Sequence, residues 1–394
     1  MIPREVEEPL RRLLRGFPIV TITGPRQSGK TTLAKAVFTG KPYLSLEDPD
    51  VRRMALDDAR GFLDRLPNGA VLDEVQRAPE LFSYLQTRVD ADGRMGLFVL
   101  TGSQHFGLMS KVTQSLAGRT AFLELLPFSV DEVERTGAGL SDLDAMLFTG
   151  GYPPLYDRRL SPREWFPAYV TAYVERDVRQ LLKVQELETF QRFVRLCAGR
   201  SGQILNLSSL ATDCGITHNT AKAWVSVLET SYILFLLRPH HVNFSKRLVK
   251  SPKIYFYDSG LLCWLLGIQE AVQLATHPLR GHIFETFVVS ELVKTQLNRG
   301  ERAAFHFWRD STGNEVDVVV DDGMTLMPIE IKSGQTLNHD FFTGLERWMA
   351  LAGDRASAPT LVYGGADNHV HKGINVLAWK AVGKALHPVS ATGH

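Results

Sequence analysis

The stretch from Ile19 to Phe38 reads IVTITGPRQSGKTTLAKAVF. Its first four residues are an apolar run fit for a buried strand, and Leu33 to Phe38 suits a helix. Between them lies Gly24-Pro25-Arg26-Gln27-Ser28-Gly29-Lys30-Thr31-Thr32, punctuated by two glycines. Strand, glycine loop and helix in this order are the context that makes a phosphate-binding loop of such a pattern. Gly24 and Gly29 let the backbone curl until successive N–H groups point inward at phosphate oxygens. Lys30 reaches the β- and γ-phosphates, and Thr31 offers its hydroxyl to Mg²⁺. The phosphates then rest over the helix N-terminus, whose orphan N–H groups favour anions. The sequence therefore predicts an α/β protein that binds a nucleoside triphosphate with Mg²⁺.

Two more strands follow the loop. Ala70-Val71-Leu72-Asp73-Glu74 is an apolar run ending in two carboxylates. Asp73 is suited to hold Mg²⁺ directly or through water, and Glu74 to polarise the attacking water. The alternative is a surface acidic pair. It loses weight because phosphate-loop proteins set such a pair beside the loop, on a neighbouring strand. Leu97 to Ser103 is a further buried strand with small polar residues at its end, so Ser103 or Thr101 can orient the water or sense the γ-phosphate. Residues 107–117 suit a helix that closes on Leu116-Ala117-Gly118-Arg119, ahead of a strand at 121–125.

At 394 residues the chain exceeds one ordinary core, and two or three domains are expected. Its 44% hydrophobic and 22% charged residues, with a formal net charge of +1, are those of a soluble globular protein. No apolar run reaches membrane-span length, and the best candidate, Gly260 to Leu266, is far too short. The first residues carry Glu5, Glu7 and Glu8 and no apolar signal core. Cys197, Cys214 and Cys263 stand apart without Cys-x-x-Cys spacing, which predicts buried thiols in a reducing cytoplasm.

These motifs together resemble the AAA+ ATPases. More closely, GPRQSGKTT (24–32), LDEVQRAPE (72–80), LTGS (100–103), SLAGR (115–119) and GGYP (150–153) look like one prokaryotic AAA+ family. That family carries a winged-helix module and a restriction-endonuclease-like C-terminal domain, and the resemblance runs to about residue 380. It implies an ATPase core at 1–149, a helical lid at 150–189, a winged helix at 190–260, a nuclease-like α/β domain at 261–382 and a mobile tail at 383–394. It also implies that Lys30 and Thr31 are the Walker A residues, Asp73 and Glu74 the Walker B pair, and Ser103 the first sensor. Arg119 falls where AAA+ proteins keep an arginine finger, whose charge completes a neighbouring subunit's site. A surface arginine capping a helix C-terminus is the alternative. Gly150 to Pro154 marks a bend into the lid. There the amphipathic stretch Tyr169 to Leu182 supplies Arg176 or Arg179 as a second sensor, unless these pair with Glu175 and Asp177 along the helix.

Residues 190–260 hold nine basic residues against three acidic ones. Ser208 to Gly215 reads as a short helix closed by glycine, and Thr217 caps a longer helix through Glu229. This is a helix-turn-helix pattern. The β-rich segments 232–237 and 253–257 flank a loop with His240, His241, Lys246, Arg247 and Lys250, a basic wing. His218, Asn219, Thr220 and Lys222 start the second helix, where phosphates or base edges would be met. Many winged helices instead serve protein packing. The basic excess favours DNA held through its backbone, without sequence reading.

In the last domain, Glu285 lies within an amphipathic helix starting near Gly281. Strands follow at 305–309, 315–320 and 327–332. Alternation sets Glu330 and Lys332 on one strand face, with Asp317 on the adjacent hairpin strand. This matches the Asp…Glu-x-Lys constellation of restriction-endonuclease-like phosphodiesterases, although Val316 stands where a proline often precedes the aspartate. Asp317 and Glu330 would bind Mg²⁺, Lys332 would orient or deprotonate water, and Glu285 would add an acidic group. An inert fold with internally paired charges is the other reading. The function expected is a homo-oligomeric ring, a hexamer, that turns over ATP to move along or remodel DNA. A nucleotide-driven switch on a protein partner and an ATP-gated defence nuclease are the alternatives.

Overall fold

Five short strands build the nucleotide-binding half: β1 (Ile19–Thr23), β2 (Tyr43–Ser45), β3 (Ala70–Asp73), β4 (Phe98–Gly102) and β5 (Thr120–Glu124). They pair in parallel in the order β2-β3-β4-β1-β5. All residues of β1, β3 and β4 are buried, as expected of a parallel sheet covered on both faces. Alternate side chains serve opposite layers. Ile19, Leu72 and Leu100 pack with Phe62, Phe82 and Leu85 on one side. Val20, Ile22, Val71 and Val99 pack with Leu10, Leu33 and Phe38 on the other. The acidic pair was expected on a strand next to the loop strand. Instead β4 lies between them, with Thr21 in register with Leu100 and Leu100 with Leu72. Within the sheet β4 thus separates the loop strand from the acidic strand.

This computed structural model describes residues 2–103, 115–137, 142–175, 187–240, 249–302 and 304–386. Much of the expected helix at 107–117 falls outside them. So do Arg176, Arg179, His241, Lys246 and Arg247, and the tail from 387 onward.

Within the segment 150–189 a helix begins ahead of the stretch expected from Tyr169. A helix runs from Pro162 to Tyr169, started by the Ser161 side chain and by a proline in its first turn, and Val170–Glu175 continues it as a π-helical turn. The sequence reading began at Tyr169, where the amphipathic pattern is clearest, and missed these start signals. The helix-turn-helix is present as Leu207–Cys214, capped by Asn206 and closed by Gly215 in the left-handed region, and His218–Thr230, capped by Thr217. Cys197, Cys214 and Cys263 are free and buried.

The remaining strands are β6 (Gln203–Ile204), β7 (Leu234–Pro239), β8 (Lys253–Phe256), β9 (Phe305–Arg309), β10 (Glu315–Asp321), β11 (Leu326–Lys332), β12 (Thr360–Tyr363), β13 (His369–His371) and β14 (Ile374–Ala378). They form one sheet in the order β13-β14-β12-β11-β10-β9-β7-β8-β6. Strand β7 joins the C-terminal strands through parallel pairing of Arg238 with His306 and Pro239 with Phe307. The segments before and after residue 260 therefore share one sheet. The helix Arg280–Asn298 packs on this sheet, burying Phe284, Phe287, Val288 and Leu292. No helix among the described residues is long and apolar enough to cross a membrane.

Candidate nucleotide site and the acidic cluster

The phosphate loop leaves β1 through Gly24, whose φ is +147°. A Cβ there would overlap the Leu125 carbonyl oxygen, so only glycine lets the loop lie against that strand end. Gln27 and Gly29 also have positive φ, which curls the chain into the helix Lys30–Val37. Lys30 is buried and donates to the carbonyls of Gly24 at 2.9 Å and Pro25 at 2.6 Å. Thr31 donates to Asp73 Oδ2 at 3.0 Å, and Tyr43 donates to the same oxygen at 2.6 Å. Thr101, at the end of the intervening strand, hydrogen-bonds the other Asp73 oxygen. Burial and the Asp73 carboxylate push the Tyr43 hydroxyl well above its ordinary range, so it stays a donor. The loop, the acidic strand and the polar end of β4 converge as the sequence reading expected.

Glu74 sits just past β3 with φ of +55°, a conformation uncommon for a non-glycine residue. Gln76 hydrogen-bonds Glu74 Oε2, and Ser103 donates to that oxygen at 3.3 Å. The turn aims the carboxylate into a cavity of about 420 Å³. Arg26, Gln27, Gly29, Lys30, Thr31, Thr32, Asp73 and Glu74 line one part of it. The hydroxyl of Ser28, in the middle of the loop, is buried with no partner among the described residues. That orphaned donor, the curled glycine backbone and the lysine beside it fit a polyphosphate. Thr31 and Asp73 fit an oxygen-liganded divalent cation.

The rest of the cavity is walled by residues the sequence reading had not assigned to it: Ile2, Arg4, Phe128, Pro153, Pro154 and Arg158. The Gly150 to Pro154 segment, expected only as a bend, forms part of this wall. It is held there by Asp258, which accepts from Gly151 N at 2.7 Å and caps the helix Ser259–Leu265 by accepting from Leu261 N at 2.8 Å. A local sequence pattern cannot reveal such a contact, because its partners are more than 100 positions apart. Arg119 makes a two-pronged pair with Asp90 of its own chain, Nε to Oδ1 at 2.6 Å and Nη2 to Oδ2 at 2.8 Å.

An AAA domain model matches residues 16–134, and two domains of unknown function, DUF8612 and DUF4143, match residues 140–272 and 280–382. The uncharacterized proteins Rv2008c of Mycobacterium tuberculosis and Mb2031c of Mycobacterium bovis are each 32% identical to this chain over 338 residues. Each match covers 84% of this chain and 74% of the relative. The chain belongs to this prokaryotic AAA-type ATPase family. Among solved structures, the Walker-type ATPase PABY2304 of Pyrococcus abyssi is similar at 15% identity and a TM-score of 0.47, over 67% of this chain and 96% of that one. The RuvB Holliday junction branch migration motor of Thermotoga maritima is similar at 17% identity and a TM-score of 0.29, over 59% and 88%.

In this AAA-type ATPase the first turn of the second helix of the helix-turn-helix is open to solvent, with His218, Asn219 and Lys222 exposed. Lys250 is exposed as well. The basic excess of the 190–260 segment is nevertheless smaller at the surface than its composition suggests. Arg200 pairs with Asp213, and Arg192 donates to the Cys214 carbonyl at 3.0 Å. Lys253 is only 3% exposed and points into the C-terminal acidic cluster, where its chain position gave no hint of it.

That cluster contains the four residues expected of a nuclease-like site and more. Lys332 pairs with Glu330 Oε1 at 2.5 Å, on one strand face as alternation required. Asp317 accepts from Ile331 N at 2.9 Å. Lys253 lies 2.8 Å from Glu285 Oε1 and 3.8 Å from Asp317 Oδ1, and it pairs also with Glu315. Tyr255 donates to Glu285 at 2.6 Å, and Arg309 pairs with Glu315 at 3.0 Å. Burial, with the Glu330 and Glu285 charges, pushes Asp317 well above the usual carboxylate range. Burial also raises Glu330, against the pull of Lys332. Burial lowers Lys253, but the three facing carboxylates outweigh it and hold the ammonium charged. Among the described residues no three His, Cys, Asp or Glu side chains converge closely enough to hold a metal. Lys253 supplies a cation that Glu285 and Asp317 face, while Glu330 pairs with Lys332 through Oε1 and its Oε2 is buried with no partner among the described residues.

Proposed function

We propose that this chain is an oligomeric AAA-type ATPase that binds DNA through its backbone and couples ATP turnover to moving along or remodelling it. One observation carries the reading: a hydrolytic site with loop, acidic pair and polar strand end shares a chain with a helix-turn-helix whose second helix opens to solvent at His218, Asn219 and Lys222. Thr31 and Asp73 would hold Mg²⁺, which neutralises charge on the phosphate oxygens. Glu74 polarises and deprotonates the attacking water, and Ser103 keeps its carboxylate in place. Lys30 exchanges the loop carbonyls for phosphate oxygens. Arg119 serves a neighbouring subunit in the assembled ring, leaving Asp90 to do so. The exposure of that pair in one chain keeps the exchange inexpensive, since solvent screens it.

The C-terminal segment acts as a charge-paired scaffold that extends the wing sheet, and not as a phosphodiesterase. The placement of Lys253 between Glu285 and Asp317 supports this. The deciding experiment measures ATP turnover and sedimentation mass with and without linear, branched and single-stranded DNA, at low and moderate salt. Stimulated turnover with a nucleotide-dependent rise in mass is expected. Unchanged turnover and no DNA binding at low salt would overturn the reading.

A further inference from the structure

A buried cation lies against the phosphate loop, at the wall of the cavity, supplied by the N-terminal segment. The Arg4 side chain is 6% exposed and uses three donors at once. Nη1 donates to the Ser28 carbonyl at 2.6 Å, Nη2 to the Leu126 carbonyl at 2.7 Å, and Nε to Glu132 Oε1 at 2.9 Å. Its guanidinium also lies 4.8 Å from the centre of the Phe128 ring.

The Ser28 contact bears on phosphate binding for a simple covalent reason. In a trans peptide the C=O of one residue and the N–H of the next point in opposite directions. Holding the Ser28 carbonyl outward therefore holds the Gly29 N–H inward, toward the cradle. The Ser28–Gly29 plane turns about ψ of Ser28 and φ of Gly29, and Gly29, with φ of +95° and no Cβ, resists such a turn less than another residue would.

Arg4 is itself anchored. Glu132 is fully buried, accepts Glu5 N at 2.8 Å, and forms a capping box with Ser129. The same turn is pinned from the helix Arg280–Asn298. Val130 N donates to Glu291 Oε2 at 2.8 Å, and Lys294 donates to the Phe128 carbonyl at 3.0 Å and to Glu291 Oε1 at 2.7 Å. A continuous line of buried polar contacts thus runs from that helix to the loop.

We propose that Arg4 is a positioning residue for nucleotide binding, fixing the Ser28–Gly29 peptide plane in its phosphate-binding orientation and tying it to the helix that carries Glu291 and Lys294. The inference rests on the loop being the nucleotide site, so wild-type binding and its loss in Lys30→Ala are measured in parallel to secure that point separately.

The test uses the full chain with Arg4→Met and Arg4→Lys, and Arg94→Ala as a surface control. It combines equilibrium binding of a fluorescent ADP and a fluorescent ATP, steady-state hydrolysis, thermal melting, and hydrogen exchange of the peptide spanning residues 24–33. A charge-assisted hydrogen bond lost from the loop predicts nucleotide binding weaker on the order of 10- to 100-fold in Arg4→Met. KM rises more than kcat falls, and exchange quickens in the loop but not in β4. Arg4→Lys, which keeps the charge but not the fork, falls between wild type and Arg4→Met and decides the matter if Arg4→Met does not fold. A folded variant with a lowered melting temperature, yet with nucleotide affinity and loop exchange within twofold of wild type, would overturn the proposal and leave Arg4 a structural bridge.

Discussion

Replacing Lys253 by methionine removes the buried cation that pairs with Glu285 and faces Asp317 while keeping most of the side-chain volume. Lys253 is 3% exposed and Glu285 lies 2.8 Å away, so the variant leaves buried carboxylates uncompensated. Breaking one half of a buried pair costs about 3–5 kcal/mol. The loss depends on pH with a definite sign. Asp317 and Glu330 titrate above their unfolded values, first because of burial and then because of neighbouring carboxylates, Glu330 and Glu285 beside Asp317, and Glu315 and Glu285 beside Glu330. Their ionisation therefore opposes folding as pH rises above the unfolded carboxylate range, about 4, and the penalty is relieved when they are protonated. Without Lys253 the carboxylates titrate higher still. Lys253→Met should thus lose most stability at pH 8 and clearly less at pH 5. Combining it with Glu285→Gln should recover much of the loss at pH 8, because a neutral pair replaces a broken one. Thermal melting of wild type, Lys253→Met, Glu285→Gln and the double variant at the two pH values makes the measurement. A Lys253→Met variant that melts within a degree of wild type at both pH values would refute the charge-paired reading of this cluster.

Other outcomes follow from the ATPase half. Lys30→Ala should abolish nucleotide binding, and Glu74→Gln should bind ATP but not hydrolyse it, as read by filter binding and phosphate release; wild-type turnover in Glu74→Gln would place the water-activating group elsewhere. Arg119→Ala should bind ATP normally and lose hydrolysis on the order of 10³-fold, with partial rescue in oligomers mixed with Glu74→Gln. Asp90→Asn, which releases Arg119 within its own chain, should not lower turnover; a loss like that of Arg119→Ala would mean the pair acts in cis. Reversing charge at Lys222 and Lys250 should weaken DNA binding across sequences and flatten its salt dependence, measured by fluorescence anisotropy.

The sequence by itself determined the phosphate loop, the carboxylate pair at 73–74, the small polar end of β4, the helix-turn-helix, and the strand alternation that sets Glu330 beside Lys332. These features are local. Each is written within a few residues by apolar runs, glycine punctuation, capping side chains or a period of two, so a reader of the chain needs no knowledge of what packs against it. Only the tertiary structure decided that β4 separates β1 from β3, that Pro153 and Pro154 wall the nucleotide cavity, and that β7 and β8 join the C-terminal sheet. It alone carried Lys253 from an apparent basic surface into the acidic cluster, and Arg4 against the loop 24 residues away. The physical reason is the same in each case. A buried charge or carbonyl must find a partner, and the partner's place in the sequence is set by the folding of the whole chain, not by any local rule.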